Sequence, residues 1–208
     1  GLKWYSPQQY LVLDDVARRN LELFVTLQDN AKAGSLFSLL NETLTPMGAR
    51  RLRWWLNYPL VDTRQIRRRL SAVAEMKEDD IVRTKMRKAL AKVYDLERLA
   101  GRVALKLATP RDLMAMKTSL ESIPEIKEMM GDFSSMELRE LRNGLVEMPA
   151  VVNLIGKAIV PDPPSRLQEG GFIAVGYDEE LDKLRSISRD AKKWIAAMEN
   201  TERQKTGI

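Results

Sequence analysis

Four arginines, Arg64, Arg67, Arg68 and Arg69, crowd one short stretch of the chain, and Arg50, Arg51 and Arg53 stand shortly before it. Guanidinium groups at this density suit contact with phosphate, because each is permanently charged and presents a planar fork of donors. The four are therefore the candidate DNA-binding residues. A plainer reading competes with it: arginine is a good helix former, and such a run is commonly a solvated helix face. Arg83, Lys85, Arg87 and Lys88 make a second basic run of the same kind. Trp54-Trp55 offers a base-stacking platform, although adjacent tryptophans on an amphipathic helix more often put one ring in the core and lay the other across a helix interface. Gly170-Gly171 with Gly176 lacks the Lys-Ser or Lys-Thr that a phosphate loop requires. A hairpin turn is expected there instead. Met114 with Met116 and Met129 with Met130 read as core filling or a soft contact surface, not as a metal box.

What is missing narrows the chemistry further. The chain has no histidine, the usual general base near neutral pH and the commonest transition-metal ligand, and no cysteine. Histidine triads, thiolate nucleophiles, disulfides and Cys-built metal sites are thereby ruled out. Carboxylates, lysines and tyrosines remain, but no set of them stands at a recognisable catalytic spacing. Accordingly no catalytic, cofactor-binding or metal-binding residue is assigned. With 34 basic and 29 acidic residues the net charge of +5 permits nucleic-acid contact, yet the two signs interleave along most of the chain. A chain of 208 residues, 44% hydrophobic and 30% charged, is long enough for one large domain or two small ones. No apolar run reaches the ~18 residues of a membrane span, and no secretory leader pattern opens the chain. The expected location is the cytoplasm, with no membrane partner.

The elements that must position these residues are mostly helices. Trp4 to Leu27 reads as an entry segment, with a short strand at Tyr10 to Leu13 and a helical turn from Asp14 to Arg19. Leu36, Leu39 and Leu40 fall at helical spacing. Thr45-Pro46 supplies a cap and a first-turn proline for a helix carrying Met47, Leu52, Trp55 and Leu56, which Pro59 stops. Asp62 with Gln65 predicts a capping box, followed by a stripe of Ile66, Leu70, Val73 and Met76. The next helix is expected from Ile81 through Met86, Leu90, Val93 and Leu96 toward Leu107. Thr109, Pro110 and Asp112 repeat the cap signature, and Pro124 restarts or kinks the helix they open. Further helices fit Met136 to Leu145 and Pro149 to Val160; Pro161 to Pro164 is a loop, and Leu167 and Phe172 flank the expected hairpin of two short strands. From Tyr177 onward neither proline nor glycine intervenes before Gly207, which predicts one helix of roughly 45 Å at about 1.5 Å per residue. Its residues Leu181, Leu184, Ile187, Ala191, Trp194, Ile195 and Met198 lie on one side. Such a stripe calls for a partner helix. The ending Thr206-Gly207-Ile208, with an apolar residue after a glycine, predicts a further element beyond it.

Taken as blocks, the sequence resembles the bacterial MutS family of DNA mismatch repair proteins throughout. Asp14-Asp15-Val16-Ala17-Arg18-Arg19-Asn20-Leu21-Glu22-Leu23 is similar to the family's opening of its core domain. Ser35 to Leu56, with Thr45-Pro46-Met47-Gly48-Ala49-Arg50 and the continuation Pro59-Leu60-Val61-Asp62, resembles its most recognisable core segment. Asp95-Leu96-Glu97-Arg98 and Thr109-Pro110-Arg111-Asp112-Leu113 follow in order. Then come Gly170-Gly171-Phe172-Ile173-Ala174-Val175-Gly176-Tyr177-Asp178-Glu179-Glu180-Leu181-Asp182 and Glu202-Arg203-Gln204-Lys205-Thr206-Gly207-Ile208. Arg68-Arg69-Leu70 departs from the pattern, since related sequences more often place an acid before one arginine and a polar residue after it. Local ion-pair roles are therefore not carried over to that helix.

The resemblance implies a mostly α fold: a multi-helix core of orthogonal or bundle-like packing with a small β-hairpin, and a long C-terminal lever helix. It assigns residues 1–175 to a core domain and 176–208 to the ascending lever, ending where a DNA-gripping clamp begins. It also implies a large parent that recognises mispaired DNA as a homodimer, binds ATP and Mg outside this chain, hydrolyses ATP, and works with a MutL-type partner. This chain would then be a non-catalytic coupler between the ATP domain and the clamp. A stand-alone basic helical DNA-binding module using Arg64 to Arg69, and a helical protein-interaction adaptor docking through the terminal stripe, are the alternatives.

Overall fold

A computed structural model describes residues 9–206, with backbone alone described for Ala196, Asn200, Thr201, Glu202, Lys205 and Thr206. Trp4 of the expected entry segment and the terminal Gly207-Ile208 lie outside the described residues. The fold is mostly α. Short helices follow one another in the order α1 (Asp15–Asn20), α2 (Leu36–Leu40), α3 (Pro46–Asn57), α4 (Thr63–Glu78), α5 (Asp80–Leu90), α6 (Leu96–Ala104), α7 (Pro110–Glu121), α8 (Ile123–Met129), α9 (Met136–Gly144) and α10 (Pro149–Ala158). The long α11 (Glu179–Thr206) ends the series. No helix among the described residues is long and apolar enough to cross a membrane.

The cap residues explain where these helices start. Asp14 accepts from the Ala17 N–H at 2.7 Å, Ser35 from Ser38, Thr45 from Gly48 and Asp62 from Arg64, each satisfying a donor that the first helical turn leaves open. Thr109 and Asp112 make the reciprocal bonds of a capping box at α7. At α4 the Gln65 amide donates instead to the Asp62 carboxylate, at 3.3 Å. Pro124 does restart a helix, for α8 follows α7 with only Ser122 between them.

The chain folds differently from expectation in three places. The helix expected from Ile81 to Leu107 is two helices, because Asp95 caps Arg98 at 3.1 Å and the Tyr94 N–H is drawn to the hydroxyl of the fully buried Ser119 at 2.9 Å. Residues 91–95 therefore turn. The strand expected at Tyr10 to Leu13 is a single antiparallel bridge, Tyr10 to Leu60. The two-stranded hairpin around Gly170-Gly171 is absent. Phe172 to Ala174 pair with the end of α10 and not with Leu167: Ile159 bridges Ile173, the Val160 N–H donates to the Phe172 carbonyl at 3.0 Å and the Ala174 N–H to Ala158 at 2.8 Å. Asp162-Pro163-Pro164 withdraws two backbone donors from any longer ladder, and Leu167–Glu169 coils into a 3-10 turn. Both glycines after that turn have φ near +70°, which carries the chain back toward α10.

The main core gathers Ala72, Met86, Ala89, Ile126, Met130, Phe133 and Leu138 from α4, α5, α8, α9 and the turn before α9. A second packing unit sets α7 against α6 and α10, burying Leu99, Leu120 and Ile155. On α4 the buried position is Ala72, whereas Leu70 and Val73 of the expected stripe are about three-fifths exposed. The small alanine lets α5 and α9 come close. Glu75, one turn beyond, reaches across to the backbone leading into α9, accepting from the Ser134 N–H at 2.5 Å, the Ser135 N–H at 2.9 Å and the Ser134 hydroxyl at 2.9 Å. Those backbone donors, Ser134 first, hold its carboxyl down at about 2.

A carboxylate with a depressed folded pKa stabilises the fold above its ordinary value near 4.5, and that contribution fades as pH falls toward 2. Glu75→Gln is accordingly expected to lower the melting temperature by about 2–4 °C at neutral pH. In thermal melts taken between pH 7 and pH 2 the gap between wild type and variant should close below the ordinary carboxylate range. A gap independent of pH would show that the charge on Glu75 does not carry the contact.

Candidate functional site

Helical geometry separates the four candidate arginines. At about 100° per residue, positions 64, 67, 68 and 69 of α4 fan over roughly 200° of the helix circumference. They do not share one face. Arg64 is solvent-facing, with its side chain 91% exposed and Asp62 at 3.7 Å. Arg67 is exposed and makes no ion pair among the described residues. Arg68 turns to α9, with Glu140 at 2.6 Å and Glu137 at 3.2 Å. Arg69 turns to α3, its guanidinium 4.3 Å from the centre of the Trp55 ring, and burial there pushes its pKa down. Two of the four thus remain open to a phosphate.

The neighbouring arginines are exposed but are likewise engaged by side chains of the fold. Arg50 makes a two-pronged pair with Asp95, 2.8 Å on each prong, and reaches Glu97 at 2.5 Å, joining α3 to the start of α6. Its guanidinium, ahead of other causes, holds the Asp95 carboxyl at about 2. Arg53 lies over Phe24 at 4.3 Å and Phe37 at 5.4 Å. Arg51 stands 5.1 Å from the Trp54 ring and 5.6 Å from the Trp55 ring. Of the second basic run, Arg83 donates to the Met76 and Lys77 carbonyls at the end of α4 and pairs with Asp80, while Arg87 donates to the Glu42 carbonyl. Sequence reasoning marked these cations as a group but missed their acceptors. The Arg50–Asp95 pairing spans 45 positions, beyond any local pattern.

The adjacent tryptophans divide. Trp54 is half-buried in an aromatic cluster, edge-on to Tyr10 with centroids at 5.3 Å and tilted against Tyr58 at 5.4 Å. Trp55 faces a groove of about 580 Å³ with Arg51, Arg69, Ala72, Val73, Met76, Leu138 and Leu141. Its wall is apolar and its rim mostly cationic, with Glu137 the one acid, so it suits an apolar side-chain row better than a nucleobase held edge-on by hydrogen bonds. Among the described residues no cluster of three or more acidic side chains is arranged to hold a metal ion.

The second surface is α11. Its stripe is open to solvent, with Leu184, Ile187, Trp194, Ile195 and Met198 each more than half exposed. Asp178 caps the helix at Leu181, 2.8 Å. Beyond the cap, Asp182 accepts from the Gly176 N–H at 2.6 Å, and Arg185 donates to the Ile173 carbonyl at 3.1 Å and pairs with Asp182 at 3.4 Å. Asp182 and Arg185 were not singled out for a role from sequence, though an acid and a base three residues apart on a helix are a standing signal for a local pair. An apolar stripe this long on an otherwise charged helix is a surface for another helix, not for a small molecule.

A family model for MutS domain III matches residues 16–204. The chain is 48% identical over 207 residues to the DNA mismatch repair protein MutS of Brevibacillus brevis, 46% over 208 residues to that of Symbiobacterium thermophilum and 45% over 205 residues to that of Acetivibrio thermocellus. These alignments take in 98–100% of the chain but 23–24% of each relative. The chain spans about a quarter of the length of the curated relatives it matches.

Duplex-DNA binding measured by fluorescence anisotropy across a salt series separates the roles of the four arginines. Exchanging Arg64 and Arg67 together for alanine is expected to reduce the salt dependence of any binding through α4 by about two phosphate contacts. Arg69→Ala should leave that slope unchanged and cost about 0.5–1 kcal/mol of stability through the lost contact with Trp55. A slope that responds to Arg69 and not to Arg64 and Arg67 would reverse the assignment.

Proposed function

The chain belongs to the MutS family, as sequence of its domain III, and from that premise we propose that it is the mechanical coupler of a mismatch repair protein. In this reading the helical hub of α1 to α10 receives the nucleotide state of an ATP-hydrolysing domain elsewhere in the parent, and α11 carries it to the part that grips DNA. ATP and Mg bind outside these residues, and the chain itself performs no catalysis. The parent recognises mispaired duplex DNA as a homodimer, engages a MutL-type partner and works in the cytoplasm.

One observation carries the proposal: α11 is a 28-residue helix rooted at one end in the hub and bare along its stripe. A helix satisfies its backbone internally, so it moves as a rigid body while the elements at its base repack. Over its length of about 42 Å, a rotation of roughly 5° at the base displaces the tip by about 4 Å. Small changes in hub packing thus become movements on the scale of a DNA contact. The stripe also supports an adaptor that docks a foreign helix; light scattering of the 208-residue chain tests this, self-association through the stripe being its expected sign.

The decisive measurement is made in the full-length parent. Ile195→Asp puts a charge near the far end of the stripe without touching the hub. It is expected to slow mismatch-stimulated exchange of ADP for ATP about tenfold while basal ATP hydrolysis is unchanged. Normal exchange in a folded variant would overturn the coupling reading.

A further inference from the structure

The bonds at the foot of α11 do something that helix formation does not need. Asp178 already closes the first turn, with its side chain on the Leu181 N–H and its carbonyl on the Asp182 N–H. Asp182 and Arg185 lie one turn further along, yet both reach back out of the helix. The Asp182 carboxylate takes the Gly176 N–H, and Arg185 takes the Ile173 carbonyl. Ile173 is itself bridged to the buried Ile159 at the end of α10, and α10 packs on α7. A chain of short contacts therefore runs from the second turn of α11 into the packing unit of α7 and α10.

We propose that Asp182 and Arg185 form a clasp that sets the angle at which α11 leaves the hub, and that releasing the clasp lets the helix swing about Gly176. Arg185 reaches the segment bridged to α10 and Asp182 closes the turn at Gly176; each bond has one charged partner, which makes it roughly twice as strong as a neutral one. The two side chains are about a quarter exposed, so water screens them only in part. Arg185 bonds Asp182 as well, and losing either residue loosens the other. Packing alone does not fix the angle: between Ile173, Tyr177, Leu181 and Leu184 there is an open hollow of about 330 Å³ where a tight joint would have side chains. Gly176 supplies the pivot, with φ at +85° and no atom within 4 Å of where a Cβ would stand. Asp182 and Arg185 are positioning residues: their consequence for signalling rests on the coupler reading, whereas the geometry they impose does not.

The 208-residue chain has no cysteine, so Asn153→Cys on α10 and Glu199→Cys far along α11 give a unique pair of spin-label sites. Pulsed dipolar spectroscopy on this pair is expected to return one narrow distance distribution. Adding Arg185→Ala should at least double its width or move its centre by several ångströms, with the helix content by circular dichroism unchanged. Arg185→Lys, which can still reach the carbonyl, should largely restore it. Asp182→Asn serves as the gentler variant should Arg185→Ala fail to fold, and is expected to broaden the distribution to a smaller degree. Distributions that superpose on the parent pair in folded variants would overturn the clasp. The exchange assay with Ile195→Asp reports on coupling alone, so failure of one reading is not failure of the other.

Discussion

Short helices make this fold a matter of helix ends. A helix of nine residues, the length of α6 and α9, leaves nearly as many backbone groups open at its two ends as it satisfies within. Since unpaired backbone groups are costly to bury, each end must find a partner before the helices can pack. Some partners are local, as at Asp14, Ser35, Thr45, Asp62, Asp95 and Thr109. Others are tertiary. Arg83 closes the carbonyls at the end of α4, Glu75 gathers the backbone leading into α9, and Ser119 takes the Tyr94 N–H. These ties join the hub's helices alongside its buried core.

The same demand explains where the positive charge goes. A group of arginines near one another in sequence suggests a surface for phosphate, but in space Arg50 secures α3 to α6, Arg68 secures α4 to α9, and Arg53 and Arg69 cover aromatic rings. With acidic residues nearly as numerous as basic ones, several of the arginines in and beside the cluster find an acceptor inside the fold instead of a free surface. These arginines serve the fold. Besides Arg64 and Arg67, the open surfaces are apolar: the groove beside Trp55 and the stripe along α11.

A hub tied by directional polar contacts and an arm that is one continuous helix are mechanically unlike. Hydrogen bonds and ion pairs are made or lost over fractions of an ångström, so a hub built on them can adopt discrete arrangements, whereas the arm has no internal choice to make. In the proposed coupler a change of arrangement would be expressed at the foot of α11, whose length would convert a small rotation into a large displacement.

Much of the fold was legible in the sequence because its signals are local. Caps followed by Pro46 or Pro110, the restart at Pro124 and the unbroken run into α11 mark helix boundaries within four or five residues, the range over which a helix end is decided. The blocks from Asp14 to Ile208 likewise identified the family. What sequence reasoning placed wrongly were contacts between distant positions. Nothing within ten residues of Phe172 says that its partner is Val160 and not Leu167, and nothing near Tyr94 announces Ser119. The arginines show the same divide. Their number and helical setting were fixed by sequence, but whether each meets a phosphate, a carboxylate or a ring depended on which helices the tertiary fold brought beside it. Sequence determines the helix ends through neighbours along the chain; only packing decides which of the remaining groups find one another across it.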